Sequence, residues 1–107
     1  MAEEIEQALD LSAMEGNARA AAGLLKAMAN ENRLMILCSL VDKELSVGEL
    51  QAMLPLSQSA LSQHLAALRV AGLVEARREA QNKFYRLRGK EAMAVLGLLH
   101  DLYCATE

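Results

Sequence analysis

Tryptophan is absent from this 107-residue chain, and Phe84, Tyr85 and Tyr103 are its only aromatic residues. Leucine, valine, methionine and alanine must therefore fill the core, a composition suited to close helix-helix contact. With a single proline, Pro55, there is no proline-rich linker, and no internal repeat or low-complexity tract interrupts the sequence. No apolar run approaches the roughly 20 residues that a membrane span requires. The N-terminus, MAEEIEQALD, is acidic where a secretory signal is basic and then hydrophobic. Only two cysteines are present, 66 positions apart, which excludes a C-x-x-C redox motif. These absences predict one cytoplasmic domain spanning residues 1 to 107, with no membrane partner. At 53% hydrophobic content such a chain can bury about two thirds of its surface around a single core.

Among the features that are present, Ser46 to Arg69, SVGELQAMLPLSQSALSQHLAALR, reads as two short capped helices joined by a tight turn. Ser46 can cap the first while Glu49 reaches back to its backbone N–H, and Val47, Leu50 and Leu54 follow at helical spacing. Pro55 keeps the residue before it out of the helix, and Ser57 then offers an oxygen to the free amides of the next. On that second helix Leu61, Leu65 and Leu68 share one side. Ser59, Gln63 and Ala66 lie opposite, flanked by Gln58 and Ser62. Glutamine can pair with adenine through two hydrogen bonds and serine can donate or accept, so the polar face suits base reading in the major groove. An ordinary solvated face is the alternative, and the helix alone leaves both open.

Gly72 ends this helix, and Leu73 to Leu87, LVEARREAQNKFYRL, switches to alternating, β-branched and aromatic residues. It predicts a β-hairpin with Gln81 and Asn82 near its tip, where asparagine tolerates a left-handed conformation. Val74, Ala76, Tyr85 and Leu87 can pack inward, leaving Arg77 or Arg78, Lys83 and Arg86 toward solvent. The net charge of −3 is unevenly spread. Residues 57–90 hold seven Lys/Arg against two Asp/Glu, whereas residues 1–56 hold four against nine. A basic segment coinciding with the candidate helix and hairpin is a phosphate-binding footprint on an acidic protein. A solubilising hairpin edge is the weaker alternative.

Three further helices complete the map: Met14 to Met28, with residues 1–13 extending it or fraying; Glu31 to Asp42, capped by Asn30 and presenting Leu34, Leu37, Cys38 and Val41; and Lys90 to Cys104. The last carries Leu96, Leu99 and Tyr103 on one side and Met93, Gly97, His100 and Cys104 on the neighbouring stripe. That is more apolar surface than the edge of a small monomer should expose. A homodimer through the first and last helices would cover it, and would set two recognition helices about one DNA turn, near 34 Å, apart on a palindromic operator. The predicted fold is mainly α with a small β-hairpin: a homodimeric winged helix-turn-helix of about five helices plus a two-stranded wing. Candidates for groove contact are Ser57, Gln58, Ser59, Ser62, Gln63 and His64, with Arg69 at the helix end. Arg77, Arg78, Lys83, Gln81 and Asn82 are candidates for DNA backbone or minor-groove contact.

The segments NENRLMILCSL, ELSVGEL, SQSALSQHLAALRVAGLV and KFYRL, in this order and spacing, resemble the ArsR family of bacterial winged-helix repressors over nearly the whole chain. The resemblance implies a homodimer that binds operator DNA and responds when a small inducer, often a metal ion, engages a sensor site. Arsenic- and lead-sensing relatives carry two cysteines in the first helix of the motif, where this chain has Ser46 and Gly48. Zinc- and nickel-sensing relatives use aspartate and several histidines on the last helix. Here that helix offers His100 alone, with Asp101 beside it facing another direction. One histidine cannot build a tetrahedral zinc site, so no metal ligands and no cofactor are assigned. His64 reads as a DNA or core-edge contact.

Taken by themselves, Cys38 and Cys104 read as small buried hydrophobes. A cysteine on each of these two helices, with ELSVGEL, LSQSALSQHL and the terminal LYC, is nevertheless similar to the HlyU, BigR and SqrR group of the family. In that group the pair is a dithiol sensor for reactive sulfur species and oxidants. The resemblance assigns redox sensing to Cys38 and Cys104 and to no other residue. Thiols whose Cα atoms stand within about 7 Å can close directly to a disulfide, and persulfide attack would insert extra sulfur. His100, one turn before Cys104, either favours its thiolate or bonds a backbone carbonyl. The expectation is a transcriptional regulator rather than an enzyme, with a metal-responsive repressor or a winged-helix protein-interaction module as alternatives.

Overall fold

Free backbone groups at the helix ends decide where each element begins and stops. In the computed structural model, which describes residues 11–104, five helices and three strands are found among the described residues. They are α1 (Leu11–Met28), α2 (Glu31–Ser39), β1 (Leu45–Ser46), α3 (Val47–Met53), α4 (Gln58–Val70), β2 (Val74–Glu79), β3 (Asn82–Leu87) and α5 (Glu91–Tyr103). Residues 1–10, part of the stretch expected to extend or fray the first helix, lie outside the described residues. Asn30 caps α2, accepting from the N–H groups of Asn32 and Arg33. Ser46 and Glu49 form the reciprocal capping box of α3, and Ser57 accepts from Ala60 N–H at the start of α4. Leu54, before Pro55, is extended.

Gly72 closes α4 at φ 79. Its N–H donates to Arg69 O and that of Leu73 to Leu68 O, both at 3.0 Å, the paired bonds of a Schellman ending. The side chains of Ile36, Leu37 and Leu40 from α2, Leu50 from α3, Leu61, Leu65 and Leu68 from α4, and Val74 from β2 are all but inaccessible. Each such burial contributes about 1.5–3 kcal/mol, so this aliphatic cluster seats α4 with its polar face outward. Ala92 and Leu96 of α5 and Tyr85 of β3 complete the core.

Four expectations are corrected. The wing belongs to a three-stranded antiparallel sheet, order β1-β3-β2, with Leu45 opposite Tyr85 and Ser46 opposite Phe84. A two-residue strand is too short to show alternation, and Ser46 serves both sheet and cap because an N-cap is itself extended. The left-handed residue at the wing tip is Ala80, φ 57, not Asn82, which sits in the ladder opposite Glu79. Helix α2 stops at Ser39, and Asp42 at φ 59 turns the chain toward β1. Its buried side is Ile36, Leu37 and Leu40, with Leu34 and Val41 partly covered. Cys38 and Cys104 are both exposed free thiols, which removes the reading of them as buried hydrophobes.

Candidate nucleic-acid interface

With its leucines in the core, α4 exposes Gln58, Ser59, Ser62, Gln63, Ala66, Arg69 and Val70 as one continuous face. An α-helix about 10–12 Å across fits a major groove of about 12 Å. Ser57 is exposed beside this face, but one lone pair is committed to its cap, and its Oγ stands 3.5 Å from Ser59 Oγ. His64 is half-buried at the edge of the helix, where its Nδ1 accepts a hydrogen bond from Arg33 Nε at 3.2 Å.

The hairpin register divides the wing into two electrostatically different faces. Side chains alternate along a strand, so Val74, Ala76 and Arg78, opposite Leu87, Tyr85 and Lys83, share one face. Glu75, Arg77 and Glu79, opposite Arg86, Phe84 and Asn82, share the other. On this second face the cations are already matched. Arg77 holds Glu44 through Nε and Nη2 and Glu79 through Nη1, and lies 4.7 Å above the Phe84 ring. Arg86 pairs with Glu75. The Arg77 guanidinium holds the Glu44 carboxyl below its usual range, while Glu44 and Glu79 hold Arg77 above its own. Among the described residues Arg78, Lys83 and Arg69 make no ion pair, so their charge remains available to phosphate.

A groove of about 800 Å³ runs between α4 and the wing tip. Gln58, Ser62 and Arg69 line it from α4, and Gln81, Asn82 and Lys83 from the hairpin, so six of the residues singled out in the sequence converge there. Ser59 and Gln63 lie on the exposed face of α4 beyond it, and Arg77 and Arg78 are not among its lining residues. Sequence reasoning missed Val70, 89% exposed, and the start of α3 at Ser46, Val47 and Gly48. Val70 continues the Ser62 and Ala66 stripe at a spacing of four, so extending that stripe one more turn would have found it.

At the opposite end of α2, Cys38 lines a mainly apolar hollow of about 450 Å³ with Val41, Met93, Leu96, Gly97, His100 and Asp101. Cys104 lies one turn beyond His100, its N–H donating to His100 O at 2.8 Å. Although Cys38 is exposed overall, partial desolvation beside this hollow pushes its thiol up, and the nearby Cys104 raises it further. Asp101 stands 3.8 Å from His100 Nδ1 rather than facing away from it. Among the described residues no group of three His, Cys, Asp or Glu side chains could hold a metal ion, and no helix is long and apolar enough to cross a membrane.

Residues 30–76 match the profile of a family described as "Bacterial regulatory protein, arsR family". The transcriptional activator HlyU of Vibrio cholerae serotype O1 is 62% identical over 96 residues, 90% of this chain and 89% of that protein. Its solved structure, described as reduced HlyU, superposes with a TM-score of 0.83, covering 89% of this chain and all of that one. The transcriptional repressor BigR of Xylella fastidiosa gives a TM-score of 0.84 at 40% identity, covering 92% of this chain and all of that one.

Proposed function

Because this chain belongs to the arsR family of bacterial regulatory proteins, a family of DNA-binding transcription regulators and not enzymes, we propose that it is a homodimer whose affinity for a palindromic operator is governed by the oxidation state of Cys38 and Cys104. The observation that carries the DNA half is the groove in which polar residues of α4 meet the unpaired Lys83 of the wing. Gln58, Ser59, Ser62 and Gln63 read base edges, with Ser57, His64 and Arg69 at the border of the contact. Arg78, Lys83, Gln81 and Asn82 hold the backbone or minor groove, and Arg77 orients the wing. Relatives named as an activator and as a repressor share this fold.

The sensing half is supported by two exposed thiols on adjoining helices, one of which feels the charge of the other. With an organic persulfide, RSSH, a cysteine thiolate takes the outer sulfur and releases RSH. The second cysteine then attacks the protein persulfide, closing a disulfide and releasing hydrogen sulfide. A further RSSH, itself reduced to RSH and hydrogen sulfide, joins a protein persulfide to the remaining thiol as a trisulfide, which spans a wider gap. Either bridge ties α2 to the end of α5. A coupling of about 1–3 kcal/mol between bridge and recognition helices changes occupancy about five- to 150-fold. Operator anisotropy before and after persulfide treatment tests this: Cys38→Ser and Cys104→Ser should each bind the operator and fail to respond. Release of either variant as readily as the wild type would falsify the paired sensor.

A further inference from the structure

Arg33, on α2, lies outside the groove yet joins three helices. Its Nε donates to His64 Nδ1 on α4, and its Nη1 donates to the carbonyl oxygen of Ala27 in the last turn of α1, each at 3.2 Å and partly buried. Ala27 O is one of the terminal helix carbonyls that lack an intrahelical partner. A planar guanidinium, with its fixed fork of donors, reaches both acceptors at once, which a lysine ammonium on a flexible stem does not reproduce. The contact also dictates the chemistry of the ring. Arginine only donates, so Nδ1 is the accepting nitrogen and the ring hydrogen is placed on Nε2.

We propose that Arg33 is a positioning residue for DNA recognition, fixing His64 as the Nε2–H tautomer and tying the rotation of α4 about its axis to the end of α1. Leu61, Leu65 and Leu68 set which side of α4 is buried, and the Arg33 contact adds a directional constraint to that packing. A hydrogen bond is angular. Because side chains on one helix turn together, any roll that breaks the Arg33 contact rotates Gln63 and Ser59 by the same angle. The other end of the arginine grips α1, whose Leu11 and Leu25 are exposed, so a shift of that helix is felt directly at His64 through this side chain, in addition to the apolar packing of Met28 in the core. The inference rests on the DNA-binding reading above.

The test combines a spectroscopic readout with a binding one on the full, reduced chain. Imidazole ¹⁵N spectra, with His100→Gln used to assign His64, should show Nδ1 unprotonated and Nε2 protonated in the wild type, and an average of both tautomers in Arg33→Leu. Operator affinity should fall about tenfold in Arg33→Leu, the loss expected of one hydrogen bond from a charged donor, while affinity for random duplex stays unchanged. His64→Leu, which removes the acceptor and leaves Arg33 on Ala27, should lose at least the same factor. In a His64→Leu background, Arg33→Leu should add little. Equal losses on operator and random DNA, an undiminished loss in the His64→Leu background, or an unchanged tautomer would each overturn the proposal. A wild type that binds no duplex would sink the DNA-binding reading itself, whereas a binding wild type matched by Arg33→Leu defeats the positioning role alone.

Discussion

Lys83 and Arg77 carry the same formal charge six residues apart, and their surroundings give them different roles. Lys83 faces the groove without an ion pair among the described residues, whereas Arg77 is bound to Glu44 and Glu79 and stacked on Phe84. Lys83→Ala should weaken binding to every sequence and reduce the slope of log affinity against log salt by about one. Arg77→Ala should leave that slope unchanged, and an equal drop in both would show that Arg77 reaches phosphate. At the cysteine pair proposed to sense oxidants, Cys104→Ser should lower the pH midpoint of Cys38 alkylation toward the ordinary cysteine value. The raised thiol is part of the folded state, so the stability it contributes is complete below the unfolded pKa and lost as pH rises through the folded one. An alkylation profile identical in both proteins would mean the two thiols do not interact. At the wing tip Ala80 occupies φ 57, where a Cβ is unfavourable. Ala80→Gly should stabilise the protein by about 1 kcal/mol in urea unfolding, and a loss of stability would contradict the strain assigned there.

At the scale of elements, α4 was legible before any coordinates because its information is local. Ser57 marks its start, three leucines mark its buried side, and Gly72 with Leu73 marks its end within 17 residues. Gln63→Ala should therefore change which base is preferred at one operator position rather than weaken all binding, as a competition series over single-base variants would show. Equal losses on specific and random duplex would remove the base-reading role. Other features were illegible for a physical reason. The pairing of β1 with β3 joins residues about 40 positions apart through backbone groups that every sequence possesses. The sorting of wing cations depends on Glu44, 33 positions from Arg77, and no local pattern announces such a partner.

For the whole molecule, exposed apolar side chains collect on the first and last helices: Leu11 and Leu25 on α1, and Leu98, Leu102 and Tyr103 on α5. Such a surface is characteristic of a face covered by another chain. Leu102→Glu should convert a dimer into a monomer in sedimentation equilibrium and cost operator affinity far more than affinity for a half-site. A variant that stays dimeric with unchanged binding would place the interface elsewhere.

Local chemistry along the chain set the caps of α2, α3 and α4, the aliphatic make-up of the core, the polar face of α4 and the basic character of the segment from 57 to 90, because caps, periodicity and charge act over a few residues. Tertiary structure alone decided which arginines stay free, which strand completes the sheet, that both thiols are exposed rather than buried, and that Arg33 meets His64 across 31 positions. Each of these is a contact between distant parts of the chain, made only after the core has chosen how its helices pack.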